Sequence, residues 1–332
     1  MPSRKRAKRS YSRRFLLLSV LIVLAILAYT GGWFYAANLL ETRTVALMDK
    51  LNLHQRRASC EEPNARGYPF RIGLFCRSVF YEDGENGISL SAGAFRSAAQ
   101  VYEPLRTVGE LDGPARISIP FLPPLEANWE EMRMSARLTT TDLPQRLSSE
   151  TRKLVLTLEE PENGGVATAE VFQAHTRRNG ADVDVALIVK RLALDPAIAG
   201  DAAVPPLDGE MLITVTDGVE LIEQRNPSLR GRSGRVGNLV LKTSDENASI
   251  TLQGPVEIDP DGLINAELSV TVTEPQTVAR LIADALPEQR DQIEGVIAGL
   301  SGLGKAPTLP VNIRQGRVFI GFLPIARIPP VQ

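Results

Sequence analysis

Hydrophobic residues along the chain follow two different patterns. Between Phe15 and Tyr29 they are almost continuous, and no charged residue lies between Arg14 and Glu41. A helix rises about 1.5 Å per residue, so the roughly 20 residues needed to span a hydrocarbon core are available here. Further along, hydrophobic and polar residues alternate in many short runs, the pattern of half-buried β-strands. The pattern predicts a membrane-spanning helix followed by a β-rich body.

The hydrophobic pattern divides the chain into four predicted parts. Residues 1–14 form a basic tail and residues 15–37 a transmembrane anchor. Residues 38–58 contain good helix formers and neither Pro nor Gly, which predicts a juxtamembrane helix. Residues 59–332 form the β-rich domain.

Alternation of apolar and polar side chains defines the faces of the predicted strands. In 182–189 the odd positions are apolar, whereas Asp182 and Asp184 share the opposite face, which we interpret as a solvated surface. In 128–138 the apolar face holds Met132, Met134, Ala136 and Leu138, opposite Arg133 and Arg137. Similar runs occur at 115–120, 153–158, 166–176, 210–216, 236–241 and 248–253.

The C-terminal third combines two predicted hairpins with two predicted helices. The segment 255–272 turns at Asp-Pro-Asp-Gly (259–262), and 309–323 turns at Gln315-Gly316. Between them, 275–286 and 287–300 each have a proline near the start and an apolar stripe, which predicts helices. The expected fold is mainly β with a few helices, a β-rich α+β protein. An N-terminal transmembrane helix precedes a large antiparallel body with a helical insertion near the C-terminus.

Charge is segregated along the chain, and this predicts the orientation in the membrane. The residues before Phe15 include seven basic ones: Arg4, Lys5, Arg6, Lys8, Arg9, Arg13 and Arg14. Positive flanks stay cytoplasmic, so we predict a single-pass membrane protein with a cytoplasmic N-terminus and an extracytoplasmic bulk. A cleaved signal peptide is the alternative, but Trp33, Phe34 and Tyr35 are bulky where a cleavage site needs small residues.

The body itself is acidic. Of the 37 basic and 39 acidic residues, the body keeps 30 basic and all 39 acidic ones, a net charge of about −9. Such a charge disfavours binding to a phosphate backbone, so no nucleic acid partner is expected.

Cys60 and Cys76 are the only cysteines. In an oxidising compartment an isolated pair is most simply one disulfide, which would contribute about 3 kcal/mol to stability by closing this loop. Free thiols or a metal site are the alternatives, although two cysteines do not fill the four positions of a structural zinc site.

A search for catalytic motifs favours a protein that is not an enzyme and uses no cofactor or metal. The segment 299–305 has the glycine and lysine spacing of a phosphate-binding loop, but Ala306 stands where that loop needs Ser or Thr. The two histidines, His54 and His175, cannot by themselves form a three-ligand zinc site.

One basic cluster contrasts with the acidic body. Arg230, Arg232 and Arg235 lie in a glycine-rich segment that is predicted to be a loop, either an ordinary solvated one or a site for an anionic headgroup.

Two segments resemble a known family. The segment from Cys60 to Cys76 contains Gly67-Tyr68-Pro69-Phe70-Arg71, and the chain ends with a Gly-Arg-Val-Phe-Ile-Gly-Phe-Leu-Pro segment from Gly316. Together, after an N-terminal anchor, they resemble domain-of-unknown-function family 2125. The resemblance implies a membrane-anchored envelope protein of a Gram-negative bacterium, which places the helix in the inner membrane and the bulk of the protein in the periplasm. It transfers no catalytic residue. Gly67 and Pro69 are expected to shape a turn, with Tyr68 and Phe70 packing at the start of the main sheet.

These features support two functional expectations. In the first, the β body binds or guides a lipid or amphiphile on an apolar face, as implied by a looser similarity to envelope proteins of the AsmA-like type. In the second, sheet edges or the C-terminal hairpin bind another envelope protein in a scaffold.

Overall fold

The computed structural model describes residues 11–52, 55–120, 122–140, 143–159, 164–199, 204–223, 228–245, 247–285 and 304–331. The helices in these ranges are α1 (Tyr11–Leu51), α2 (Pro196–Ala199), α3 (Gly218–Glu223) and α4 (Pro275–Ala285). The first ten strands are β1 (Arg56–Cys60), β2 (Asn64–Arg66), β3 (Arg71–Cys76), β4 (Val79–Asp83), β5 (Ile88–Ala92), β6 (Phe95–Gln100), β7 (Glu103–Leu111), β8 (Ala115–Ser118), β9 (Leu125–Asn128) and β10 (Glu131–Arg137). The other ten are β11 (Arg146–Leu158), β12 (Gly165–Asn179), β13 (Asp182–Leu194), β14 (Leu207–Val215), β15 (Arg232–Thr243), β16 (Ser249–Ile258), β17 (Ile264–Thr273), β18 (Thr308–Arg314), β19 (Arg317–Ile320) and β20 (Leu323–Arg327).

The long apolar segment and the segment after it form one uninterrupted helix. α1 is long and apolar enough to cross a membrane, and the predicted juxtamembrane helix is its second half. The helix ends at Leu51, and residues 56–58 belong to β1, so the helix predicted as far as residue 58 is too long. Arg56 and Arg57 instead pair with Asp83 and Glu82 of β4, which gives these residues a hydrogen-bonded ladder.

The described strands form one antiparallel sheet with up-and-down order, which confirms the predicted mainly β class. In its first part, pairs of short strands follow each other in line: β1 and β2, β3 and β4, β5 and β6, β7 and β8, and β9 and β10. The next strand, β11, is long enough to pair with both β9 and β10. From β11 to β20 each strand pairs with the next one along the chain.

The breaks between these short strands lie side by side across the sheet. We call this line the crease; it runs through 61–63, 77–78, 93–94, 112–114 and 129–130. On β11 it passes Lys153, whose φ of 51° interrupts the regular strand. The crease divides the first part of the sheet into two halves.

Both predicted C-terminal hairpins are present. β16 and β17 are joined at Asp259–Gly262, where Gly262 has a φ of 85° and its N–H donates to the Asp259 carbonyl at 2.9 Å. β18 and β19 are joined at Gln315 and Gly316, with φ of 51° and 74°. Positive φ favours glycine, so the turn residues and the hairpins agree.

The helical insertion is described only in part. α4 covers Pro275–Ala285, whereas Leu286 and the predicted helix at 287–300 lie outside the described residues. α4 packs against one end of the sheet: the buried cluster contains Ala248, Val272 and Val278, with Ile250, Val270 and Ile282 against it.

Candidate functional site

The strand register aligns apolar side chains into rows across the sheet. Directly paired residues on neighbouring antiparallel strands point to the same face, so a chain of pairings identifies one face. One such row crosses ten strands: Gly109, Met134, Ser149, Ala174, Leu187, Met211, Leu239, Leu252, Val270 and Leu309. With strands about 4.8 Å apart, the row is about 43 Å long. We call the face that carries it the apolar face.

A second row on the apolar face lies two residues along each strand. It contains Met132, Thr151, Phe172, Val189, Gly209, Leu241, Ile250 and Val272. α4 covers the far end of this row, where Val272 is buried, whereas Leu241 keeps 43 % of its surface exposed. The apolar face is therefore packed at its C-terminal end and more open toward the middle of the sheet.

An open groove lies on the apolar face between β6 and β12. It has a volume of about 390 Å³, and its lining includes Thr107, Met134, Ala136, Leu147, Ala174 and Thr176. Leu147 is 44 % exposed in this groove. The groove is apolar and has the size of a small ligand site.

The opposite face carries arginines in direct cross-strand register. Arg106 pairs with Arg137, Arg137 with Arg146, and Arg146 with Arg177. We call these four residues the arginine row. Like charges directly opposite each other destabilise a sheet, so folding alone does not favour this arrangement. Arg106 pairs with Glu103 and Arg177 with Asp184, whereas Arg137 and Arg146 are exposed and form no ion pair within the described residues.

The Gly67–Arg71 segment forms a turn between β2 and β3, as predicted. The Gly67 carbonyl accepts a hydrogen bond from the Arg71 N–H at 2.9 Å, and Gly67 has a φ of 120°. A Cβ at Gly67 would lie 2.8 Å from the Arg71 backbone. Glycine is therefore required by both conformation and space.

This turn docks on α1. The Trp33 indole N–H donates to the Arg71 carbonyl at 2.9 Å, and the Thr30 and Tyr68 hydroxyls lie 2.8 Å apart. The Tyr29 hydroxyl donates to the Pro69 carbonyl. The Tyr68 ring packs edge-on against Trp33 and is stacked on Phe34. The turn is thus fixed to the apolar part of the helix.

The two aromatic residues of the turn have different environments. Tyr68 packs against α1, as just described, rather than against the main sheet as expected. Phe70 is 74 % exposed, so its predicted packing role is wrong. Its carbonyl accepts a hydrogen bond from the Val101 N–H of the β6–β7 turn, in which Tyr102 is 80 % exposed. Two exposed aromatic residues therefore lie on adjacent turns beside the helix.

The predicted disulfide between Cys60 and Cys76 is confirmed, with Cα atoms 5.2 Å apart. Cys60 ends β1 and Cys76 ends β3, so the bond joins the two sides of the first break in the crease. Arg77 pairs with Glu61 and Glu62 beside it.

Further along the crease, charged side chains pair across neighbouring strands. Arg96 donates two hydrogen bonds of 2.6 Å to the Asp112 carboxylate, and this contact lowers the pKa of Asp112. Lys153 pairs with Glu130 at 2.5 Å, which lowers the pKa of Glu130. These carboxylates are neutralised by their partners, which makes them unsuited to accept a proton near neutral pH.

Asp184 is buried rather than solvated, which corrects the interpretation of the polar face of 182–189. Its carboxylate accepts hydrogen bonds from Arg177 at 2.6 Å and from the Thr214 hydroxyl at 2.8 Å. The Arg177 hydrogen bond, together with the Thr214 one, holds the pKa of Asp184 below its usual value despite burial.

The structure does not bring the three arginines of the predicted headgroup site together. Arg232 and Arg235 belong to β15 rather than to a loop, and three residues apart on a strand they face opposite sides of the sheet. Arg230 lies before the strand and donates from Nε to the Val331 carbonyl at 3.1 Å. Arg235 is in the same cross-strand line as Asp184 and Thr214.

The described residues contain no cluster of three or more His, Cys, Asp and Glu that would hold a metal. His175 is half-buried within β12, with its Nε2 3.4 Å from the Gln173 Oε1. His54 lies outside the described residues, as does most of the segment 299–305 that resembles a phosphate-binding loop.

Sequence reasoning missed both the ten-strand apolar row and the arginine row. The alternation in 128–138 correctly separated Met134 and Ala136 from Arg133 and Arg137. The rows themselves depend on register between strands, which alternation within one strand does not reveal.

The fold and site define a class: a long apolar helix bound through the Gly67–Arg71 turn to a single antiparallel sheet with one apolar face. The chain belongs to the family described as an uncharacterized protein conserved in bacteria (DUF2125), whose model matches residues 33–329. The match begins at Trp33, one of the two aromatic residues of α1 that pack against Tyr68. No curated protein matches the chain.

Proposed function

We propose that this protein is a non-enzymatic, single-pass inner-membrane protein whose periplasmic sheet binds or guides a lipid or another amphiphile along its apolar face. The observation that carries the proposal is the row of ten directly paired positions, most of them apolar, with an open groove over part of it. Such a face is a favourable environment for an acyl chain, because each Å² of apolar surface that is buried lowers the free energy by about 25 cal/mol.

The distribution of burial supports this proposal. Most of the buried apolar residues within the described part of the chain are alanines, and the large apolar side chains of the row are only half-buried. A sheet face of this kind gains further stability when an apolar ligand covers it.

The helix and the charge pattern support the proposed location. α1 is long and apolar enough to span a membrane, and basic residues precede its apolar segment. The Cys60–Cys76 disulfide fits an oxidising compartment, because such bonds are rare in the cytosol.

A pair of neighbouring residues tests the binding face. Ala136 and Ser135 both border the groove, but they are consecutive residues of β10, so their side chains point to opposite faces and only that of Ala136 points to the apolar face. The full-length protein is reconstituted in nanodiscs that contain a phospholipid with a photoreactive acyl chain, and the crosslinked peptides are mapped. We expect adducts on β7, β10, β11 and β12 that Ala136→Asp reduces at least fivefold and that Ser135→Asp leaves unchanged.

Equal loss in both variants, or adducts confined to α1, would contradict binding on the apolar face. Circular dichroism of both variants controls for folding, since a buried charge is costly.

The C-terminal edge supports a second candidate function, a scaffold that pairs with another envelope protein. β20 bonds only to β19 among the described strands, and every residue of β20 is exposed. Phe322, directly before β20, is 99 % exposed, and Leu323, its first residue, is 71 % exposed. An open edge with exposed apolar residues is suited to strand addition. In-cell crosslinking from position 325 tests this: a discrete protein adduct supports the scaffold, and its absence contradicts it.

A further inference from the structure

The exposed aromatic residues and the arginine row lie at one end of the sheet. Three strands begin at this end, namely β3, β7 and β11, and three end there, namely β6, β10 and β12. We call it the Arg71 end. It carries Phe70, Tyr102 and the four residues of the arginine row.

The arginine row is level with Arg71. Ile72, next to Arg71, pairs with Ala99, and Ala99 pairs with Thr107, next to Arg106. The row therefore continues from β3 through β7 to β12 along the end of the strands.

The contacts with α1 fix the direction of these strands. Trp33 bonds to Arg71 at the start of β3, and two helical turns further on the Glu41 carboxylate accepts from the Ala65 N–H at 2.7 Å. β2 and β3 therefore run along the helix axis, and the Arg71 end points toward the apolar part of α1.

The distance along α1 from Arg14 to Trp33 matches the thickness of the hydrocarbon core of a bilayer. Trp33 lies 19 residues after Arg14. At about 1.5 Å per residue this is about 28 Å, close to the roughly 30 Å of a hydrocarbon core. With Arg14 at one surface, Trp33 and Phe34 reach the other, and the turn bonded to Tyr29 and Thr30 lies at or just below the headgroups.

We infer that the Arg71 end of the sheet rests on the periplasmic surface of the bilayer that holds α1, with Phe70 and Tyr102 inserted at the interface and the arginine row against lipid phosphates. This inference rests on the proposed membrane anchoring of α1. Aromatic side chains favour the interface, and guanidinium groups bind phosphates through paired hydrogen bonds.

Charge complementarity explains why the row persists in a body of net charge about −9. Arg137 and Arg146 have no ion-pair partner in the described part of the chain, so they are the residues of the row that are most available to an anionic surface. Each basic residue close to an anionic membrane surface raises the affinity of a protein for that surface about fivefold.

Photocrosslinking from single positions tests the contact. The photoreactive amino acid p-benzoylphenylalanine replaces Phe70, Tyr102, Ile22 or Phe322 in the full-length protein, which is reconstituted in nanodiscs of phosphatidylcholine with or without phosphatidylglycerol. Ile22 lies in the apolar part of α1, and Phe322 is another exposed aromatic residue, in the β19–β20 turn at the C-terminal edge of the sheet, many strands away from β3. We expect lipid adducts at 22, 70 and 102 and at least tenfold fewer at 322.

A double substitution in the arginine row tests whether these residues bind anionic lipid. Phosphatidylglycerol should raise the adduct yield at position 102 severalfold, and Arg137→Ala/Arg146→Ala should abolish that increase. Arg57→Ala/Arg116→Ala is the matched control, because both residues are exposed and lie on strands of the other half of the sheet. This control should keep the increase.

The outcomes distinguish the docking of the sheet on the bilayer from the membrane anchoring of α1. Adducts at 22 without adducts at 70 and 102 would overturn the docking of the sheet and leave the anchor standing. Absence of adducts at all positions would overturn both. Equal yields at 70 and 322 would show unspecific labelling and would also overturn the docking.

Discussion

Arg177 lies beside other arginines and also forms an ion pair with Asp184, so its electrostatic contacts are both unfavourable and favourable. Arg177 belongs to a line of four like charges, yet it also holds a buried carboxylate on the next strand. The Thr214 hydroxyl donates a second hydrogen bond to Asp184. The carboxylate is therefore stabilised in its charged form, although burial opposes this form.

This pair makes stability depend on pH. The pKa of Asp184 is lowered in the folded state, so its contribution is present above the unfolded pKa of about 3.9 and is lost as pH falls through the folded pKa. Asp184→Asn should reduce the free energy of unfolding by about 2 kcal/mol at pH 7. The difference from the wild type should shrink below about pH 4.

Denaturant unfolding at several pH values measures this difference. Asp261→Asn is the control, because Asp261 lies exposed in the β16–β17 turn, and it should match the wild type throughout. A difference between wild type and Asp184→Asn that stays constant from neutral to acidic pH would contradict the assignment.

At the scale of elements, the crease is where the backbone ladder of the first part of the sheet is interrupted. Short strands end there, and charged side chains and the disulfide bridge neighbouring strands. The Trp129 indole N–H donates to the Leu111 carbonyl at 2.9 Å, which satisfies a backbone group that the break leaves without a ladder partner. Side chains thus replace the missing backbone bonds.

The disulfide should matter most at this break. Cys60→Ser is expected to lower the free energy of unfolding of the oxidised protein by about 3 kcal/mol, because the unfolded chain gains the freedom of the opened loop. Thermal unfolding with and without reductant measures the effect. The reduced wild type should match Cys60→Ser, and Cys60→Ser/Cys76→Ser serves as a control for the lone thiol. A melting temperature of the wild type that reductant leaves unchanged would contradict a stabilising role.

At the scale of the whole molecule, α1 and the sheet form a continuous unit through the Gly67–Arg71 turn. The same helix that is apolar enough to span a membrane also contributes Trp33 to the contacts with the sheet. The placement of the sheet relative to the membrane thus follows from the helix if α1 is inserted.

A reporter fused to the C-terminus tests the orientation of the whole protein. Alkaline phosphatase is active only after export, so a fusion after Gln332 should be active and a cytoplasmic reporter at the same place inactive. Replacing the seven basic residues before Phe15 by Gln should weaken this preference, because these charges determine which end stays inside. A tag at the N-terminus should remain on the membrane-bound protein after alkaline washing. Loss of that tag would indicate a cleaved signal peptide.

Sequence patterns predict correctly those elements that are determined by residues close together in the chain. The turn at Asp259–Gly262, the turn at Gln315-Gly316 and the α4 stripe are set by residues close in sequence, and each is present. The glycines around Arg230, Arg232 and Arg235 favour a loop at this position. In the structure β15 pairs with β14 and β16 and begins at Arg232, because the hydrogen bonds and packing of a long ladder outweigh a weak local preference.

The sequence by itself determined the long apolar helix, the alternating strands, the acidic body and the pairing of its two cysteines. Each follows from hydrophobicity, charge or the small number of possible partners. Only the tertiary structure decided the ten-strand apolar row, the arginine row and the docking of Tyr68 on Trp33. These features depend on the register of strands and on contacts between distant segments, and a shift of one residue would send every side chain of a strand to the other face.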